Sequence, residues 1–145
     1  MNKVIALLFI LTSSISFSQD KEDCPDIKTG FYGYTGDIRS TIIYRTKKSQ
    51  IEYNLNDDSW LILTLDWISD CEYHYTFFKV SSASAKELIG FKNSAIVLSH
   101  DDKGYNYKSI PLNNNLPTMT GKIFYRNDIP KKIQKKLKKV LKKNT

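Results

Sequence analysis

Few side chains in this chain are suited to chemistry. There are two histidines, His74 and His100, and two cysteines, Cys24 and Cys71. His74 follows Cys71 at a spacing that puts the two on opposite faces of a strand, so they cannot share a metal ion. Across a hairpin His74 falls opposite Asp66, which reads as a surface pair. His100-Asp101-Asp102 has the composition of a metal cluster but reads as a polar turn, because it lacks the alternating oxygen ligands of a calcium loop. No Gly-x-Ser-x-Gly elbow and no His-Glu-x-x-His helix is present. The sequence therefore assigns no catalytic residue, no metal ligand and no cofactor, and an enzyme is the least favoured class.

The cysteines have a better use. Lys3 precedes an apolar run over residues 4–11, too short to span a bilayer. Small polar residues follow, with Ser16 and Ser18 at the −3 and −1 positions of a cleavage before Gln19. This is the pattern of a secretory signal peptide over residues 1–18, and it predicts an exported protein, periplasmic or secreted. An isolated even pair of cysteines in an exported chain predicts a Cys24–Cys71 disulfide. Closing that loop would stabilise the fold by about 4 kcal/mol in the chain-entropy model.

Binding residues are sought next among the aromatics. Residues 60–80 read as a central β-hairpin. Leu61, Leu63, Leu65 and Trp67 share one face of its first arm, and Tyr73, Tyr75 and Phe77 share one face of its second. A loop over residues 69–71 sets Trp67 opposite Tyr73, Leu65 opposite Tyr75 and Leu63 opposite Phe77, joining the two apolar faces. Trp67, Tyr73, Tyr75 and Phe77 are thus candidates for contact with an apolar ligand. A second hairpin, residues 41–46 and 49–55, turns at Lys47-Lys48. It pairs Tyr44 with Ile51 and Ile42 with Tyr53 on one face. Arg45, Gln50 and Glu52 occupy the other, which is expected to be wet.

Around these lie a first strand at Gly30-Phe31-Tyr32 and a short helix within residues 81–90. Further strands are expected at 95–100, 105–110 and 118–126, with turn residues between them. No βαβ alternation is present. The expected fold is all-β: an antiparallel meander of seven or eight strands forming a small barrel or half-barrel, with a C-terminal amphipathic helix. The domain plan is a signal peptide at 1–18, one barrel-like domain at 19–126 and a lysine-rich helix at 127–145.

The last segment holds most of the charge. From residue 126 onward eight lysines and Arg126 stand against Asp128, a net +8, whereas the body from residue 19 to 125 is −2. Asp128 is placed to cap a helix and Pro130 suits its first turn. Ile129, Ile133, Leu137 and Val140/Leu141 make a narrow stripe that winds slowly and suits a shallow surface more than a deep groove; the alternative is that it packs on the barrel and leaves the lysines solvated. Lys131, Lys132, Lys135, Lys136, Lys138, Lys139, Lys142 and Lys143 are the candidate contacts to an anionic membrane. No base-stacking or groove-reading motif accompanies them, and no nucleic-acid partner is expected.

Three stretches carry a resemblance. They are Cys24-Pro-Asp-Ile-Lys-Thr-Gly30-Phe31, Tyr44-Arg45 followed by Gln50-Ile51-Glu52, and Asp66-Trp67-Ile68-Ser69-Asp70-Cys71-Glu72-Tyr73. Together they resemble small secreted proteins common in flavobacteria, which look like lipocalin-type β-barrels. The chain departs from lipocalins in having Gly30-Phe31-Tyr32 where they have Gly-x-Trp, and in being shorter. The aromatic face of such a small barrel makes a non-enzymatic binding protein for a small apolar or amphipathic ligand the leading expectation. The alternative is an envelope-surface or partner-binding protein acting on anionic lipid through the basic helix. The sequence leaves the oligomeric state open.

Overall fold

The computed structural model describes residues 23–34 and 40–145. The expected signal peptide lies outside the described residues. Eight strands follow in chain order: β1 (Gly30–Gly33), β2 (Thr41–Arg45), β3 (Ser49–Asn54), β4 (Trp60–Trp67), β5 (Glu72–Val80), β6 (Lys92–Asp101), β7 (Gly104–Pro111) and β8 (Met119–Tyr125). Each pairs antiparallel with the next, and β8 pairs with β1 to close a barrel. The helix expected between β5 and β6 is a 3-10 segment, Ala83–Leu88, and α1 (Lys131–Asn144) ends the chain.

The central hairpin has the register that parity requires: Trp67 faces Tyr73, Leu65 faces Tyr75, Leu63 faces Phe77 and Asp66 faces His74. Its turn uses no left-handed residue. Ser69 Oγ instead accepts the Cys71 backbone N–H at 3.1 Å, a side-chain substitute for a glycine. A bulge leaves Phe78 without a partner on β4, and a second leaves Leu98 unpaired between β6 and β7. Such an extra residue bends its strand, which a closing sheet needs, and turns its own side chain out of the alternation. Both are accordingly exposed.

The β2–β3 hairpin also has its expected pairs, Tyr44 with Ile51 and Ile42 with Tyr53. Its faces, however, are the reverse of the expectation. Arg45 and Gln50 are buried with the residues of the barrel interior, and Glu52 lines the same space. The apolar face looks outward and is covered by α1. Ile42, Ile51, Tyr53 and Ile62 form one cluster with Ile129, Leu137 and Leu141, with Ile133 and Val140 packed against it. The helical stripe is therefore spent on the barrel wall and is not free to enter a shallow lipid surface. Nor does Asp128 cap the helix. Pro130 occupies that position without a side-chain bond, while Asp128 pairs with the Arg126 guanidinium at 2.8 Å.

One end of the barrel is closed by residues 24–29. Ile27 is fully buried in the interior cluster, and Cys24 packs against it. Cys24 and Cys71 lie at disulfide distance with their Cα atoms 5.4 Å apart, within the range a bridge accepts. Lys28 pairs with Asp70 at 2.6 Å and lies over the Trp67 ring. At Gly104 the strands approach so closely that a Cβ would fall 2.0 Å from the Ile123 carbonyl oxygen, so no larger residue fits there.

Candidate functional site

Interior side chains of a small barrel fill it, and any volume they leave is a candidate ligand site. Above the plugged base the interior holds a cavity of about 170 Å³. Leu61 and Leu63 come from β4, Tyr73, Tyr75 and Phe77 from β5, Ala95 from β6, Tyr107 from β7 and Ile123 from β8. Tyr34 and Met119 stand at its mouth, each more than a third exposed. Ile89 and Leu112, also exposed, lie on the β5–β6 and β7–β8 connections at this same end. Four exposed apolar side chains thus stand at this end among the described residues, while the base is sealed.

The polar floor of the cavity is a hydrogen-bonded chain. At its deep end the Arg45 guanidinium is wholly buried. It donates from Nη1 to the Ile27 carbonyl at 2.9 Å, from Nη2 to the Tyr73 hydroxyl at 3.1 Å and from Nε to Gln50 Oε1 at 2.7 Å. The rings of Tyr32 and Tyr73 lie 4.8 and 5.0 Å from it, close enough for cation–π attraction. Gln50 Nε2 passes the chain on to Glu52 Oε1 at 2.8 Å, and the Tyr34 hydroxyl donates to the same oxygen at 2.7 Å. Glu52 Oε2 accepts no hydrogen bond among the described residues.

Burial raises the Glu52 carboxyl above its ordinary value, opposed by the two hydrogen bonds and by the Arg45 charge. Loss of water around its inward-turned hydroxyl, and then the negative charge of Glu52, push Tyr34 well above the usual tyrosine range. Burial and then Glu52 push Tyr107 up to about 12. Burial also raises Tyr75, whose hydroxyl meets Ser109 Oγ at 2.7 Å. These tyrosines are neutral hydrogen-bonding groups at physiological pH.

Of the candidates drawn from the sequence, Tyr73, Tyr75 and Phe77 line the cavity and Trp67 does not. Trp67 sits at the sealed end, packed against Tyr73 with centroids 4.7 Å apart and the rings tilted by 43°, and donates from Nε1 to the Lys47 carbonyl. Sequence reasoning missed Glu52, Gln50, Tyr34, Leu61 and Tyr107 as wall residues. The signal for the first two was their parity with Arg45 on one hairpin face, which polarity alone assigns to solvent.

The eight candidate lysines are all exposed. Lys136 pairs with Asp58 at 2.9 Å, and Lys138 lies over the rings of Phe31 and Tyr44. The other six make no ion pair among the described residues. His74 has Glu72 as its near acidic neighbour, at 3.9 Å. His100 Nε2 contacts the Asp23 carbonyl oxygen at 2.8 Å, and Asp101 accepts the backbone N–H groups of Lys103 and Gly104 within its turn. Among the described residues no group of three His, Cys, Asp or Glu side chains is placed to hold a metal ion.

Larger hollows lie on the outer surface. One of about 370 Å³ covers the plug between Cys24 and Asp70, but its Lys28 and Asp70 neutralise each other. No family model, curated protein or solved structure matches this chain.

Proposed function

We propose that the protein is a non-enzymatic binding barrel that holds one small amphipathic ligand in its interior. The observation that carries this is the cavity of about 170 Å³ with an aromatic and leucine wall and a carboxyl on one side. An apolar cavity of about 150 Å³ admits benzene, whereas pockets for drug-sized ligands run from about 300 Å³. The ligand is therefore of single-ring size. A long-chain lipid does not fit. Export fits the same reading: a cysteine pair set for a disulfide suits an oxidising compartment, as does the resemblance to small secreted barrels.

Protein-observed NMR titration with benzyl alcohol tests the reading. Shifts confined to Leu61, Tyr75, Phe77 and Tyr107 are expected, and Ala95→Leu, which fills the cavity, should abolish them. Shifts elsewhere, or shifts that Ala95→Leu leaves unchanged, would contradict it.

A second reading is favoured by the placement of the lysines. With its stripe on the barrel, α1 turns a basic face to solvent, and each lysine near an anionic membrane contributes about 1 kcal/mol. Binding would then be electrostatic, lost at high salt and absent on neutral vesicles. Co-sedimentation with vesicles rich in anionic lipid at low salt checks it, and failure to sediment there would refute it.

A further inference from the structure

The barrel interior contains two charges of opposite sign, Arg45 and Glu52, and they are not equivalent toward the cavity. Arg45 is sealed beneath Gln50 and Tyr73 with all three guanidinium nitrogens donating to protein acceptors, and it does not line the space. Glu52 does line it, and among the described cavity residues it is the sole charged side chain. One carboxylate oxygen is used by Gln50 and Tyr34 and the other has no partner among the described residues. The remaining wall is rich in aromatic faces, whose negative quadrupoles attract cations and not anions.

We propose that the ligand of this cavity is a small organic cation, an amine or quaternary ammonium of single-ring size, whose charge is held by Glu52 Oε2 within the wall of Tyr73, Tyr75, Phe77 and Tyr107. The inference rests on the reading of the barrel as a small-ligand binder and adds the sign of the ligand's charge. Glu52 is half-buried, and its second carboxylate oxygen, which has no protein donor among the described residues, is open to the cavity, so an incoming ammonium supplies both a donor and an opposite charge there. A ligand carboxylate would meet Glu52 first, with Arg45 out of its reach. The positive charge of Arg45 at the deep end directs the cation to the mouth side of Glu52, beside Tyr34. There the ring of the ligand can lie against Phe77 and Tyr107.

The test is a calorimetric titration of the full disulfide-bonded chain at neutral pH with benzylammonium, benzyl alcohol and benzoate. The first two have the same shape and differ in charge. Benzylammonium is expected to bind at least about tenfold more tightly than benzyl alcohol, a difference of about 1.4 kcal/mol, with benzoate weakest. Glu52→Gln keeps the bonds from Tyr34 and Gln50 but removes the charge. It should bring benzylammonium down to the level at which benzyl alcohol binds the same variant. Equal or tighter binding of benzyl alcohol or benzoate by the unmodified protein would overturn the charge assignment and leave the small-ligand reading standing. So would a benzylammonium preference that survives Glu52→Gln. If none of the three binds, both fall together.

Discussion

Glu52 is the residue on which the interior chemistry turns. It lies in a barrel wall, its carboxyl is raised by burial, and the opposing help from Tyr34, Gln50 and Arg45 does not fully cancel that cost. The sign of its effect on stability follows. In the unfolded chain a glutamate ionises near pH 4.3, whereas in the folded protein it holds its proton to higher pH. Between those two values the folded state carries more protons, so stability falls as pH rises and then levels off above the folded value. Glu52→Gln should remove this decline. Urea midpoints measured from acid to neutral pH are expected to fall less steeply in the variant than in the parent. A steeper fall in the variant would mean that Glu52 is stabilised as an anion. Arg45 complements it: a buried guanidinium cannot shed its proton, and each of its three nitrogens has an acceptor in the Ile27 carbonyl, Gln50 or Tyr73.

At the scale of elements, pairing was legible in both hairpins, and facing was legible in the central hairpin but not in β2–β3. The period-two pattern and the turn lengths are enough to set Trp67 against Tyr73 and Ile42 against Tyr53, because a one-residue slip would scramble both faces. Which face of β2–β3 turns inward is a different matter. Polarity assigns Arg45, Gln50 and Glu52 to water, and that assignment fails because two tertiary partners override it. The interior supplies hydrogen-bond acceptors and tyrosine rings for the polar face. The stripe of α1 covers the apolar one. The bulges at Phe78 and Leu98 were hidden for a related reason, since nothing local marks the residue a closing sheet must skip. The helix is therefore a structural cover as well as a charged surface. Leu137 is fully buried against the outer wall. Leu137→Ala should destabilise the whole barrel by about 2–5 kcal/mol. Lys139→Ala, on the exposed side, should leave the urea transition within about 0.5 kcal/mol of the parent. Equal transitions for Leu137→Ala and the parent would show that α1 does not rest on the barrel.

As a whole the molecule is a cup. Residues 24–29 plug its base, α1 braces one wall from outside, and the cavity opens at the end carrying Tyr34, Ile89, Leu112 and Met119. The cysteine pair joins the plug to the central hairpin across a separation of 47 residues. Replacing both cysteines by serine should cost about 4 kcal/mol by the chain-entropy account. Thermal unfolding with and without reductant checks this, and an unmoved transition in the parent would mean that the bridge does not form. The barrel class could be read from short strands, frequent turns and the lack of βαβ alternation. The cavity could not, because volume depends on how side chains from six strands meet. Its existence is the central claim and has one direct measurement: a crystal of the protein soaked in benzyl alcohol. The account predicts density for the ring between Leu61, Tyr75, Phe77 and Tyr107, with its hydroxyl toward Glu52. Side chains closed over that space, leaving no room for a ring, would contradict it.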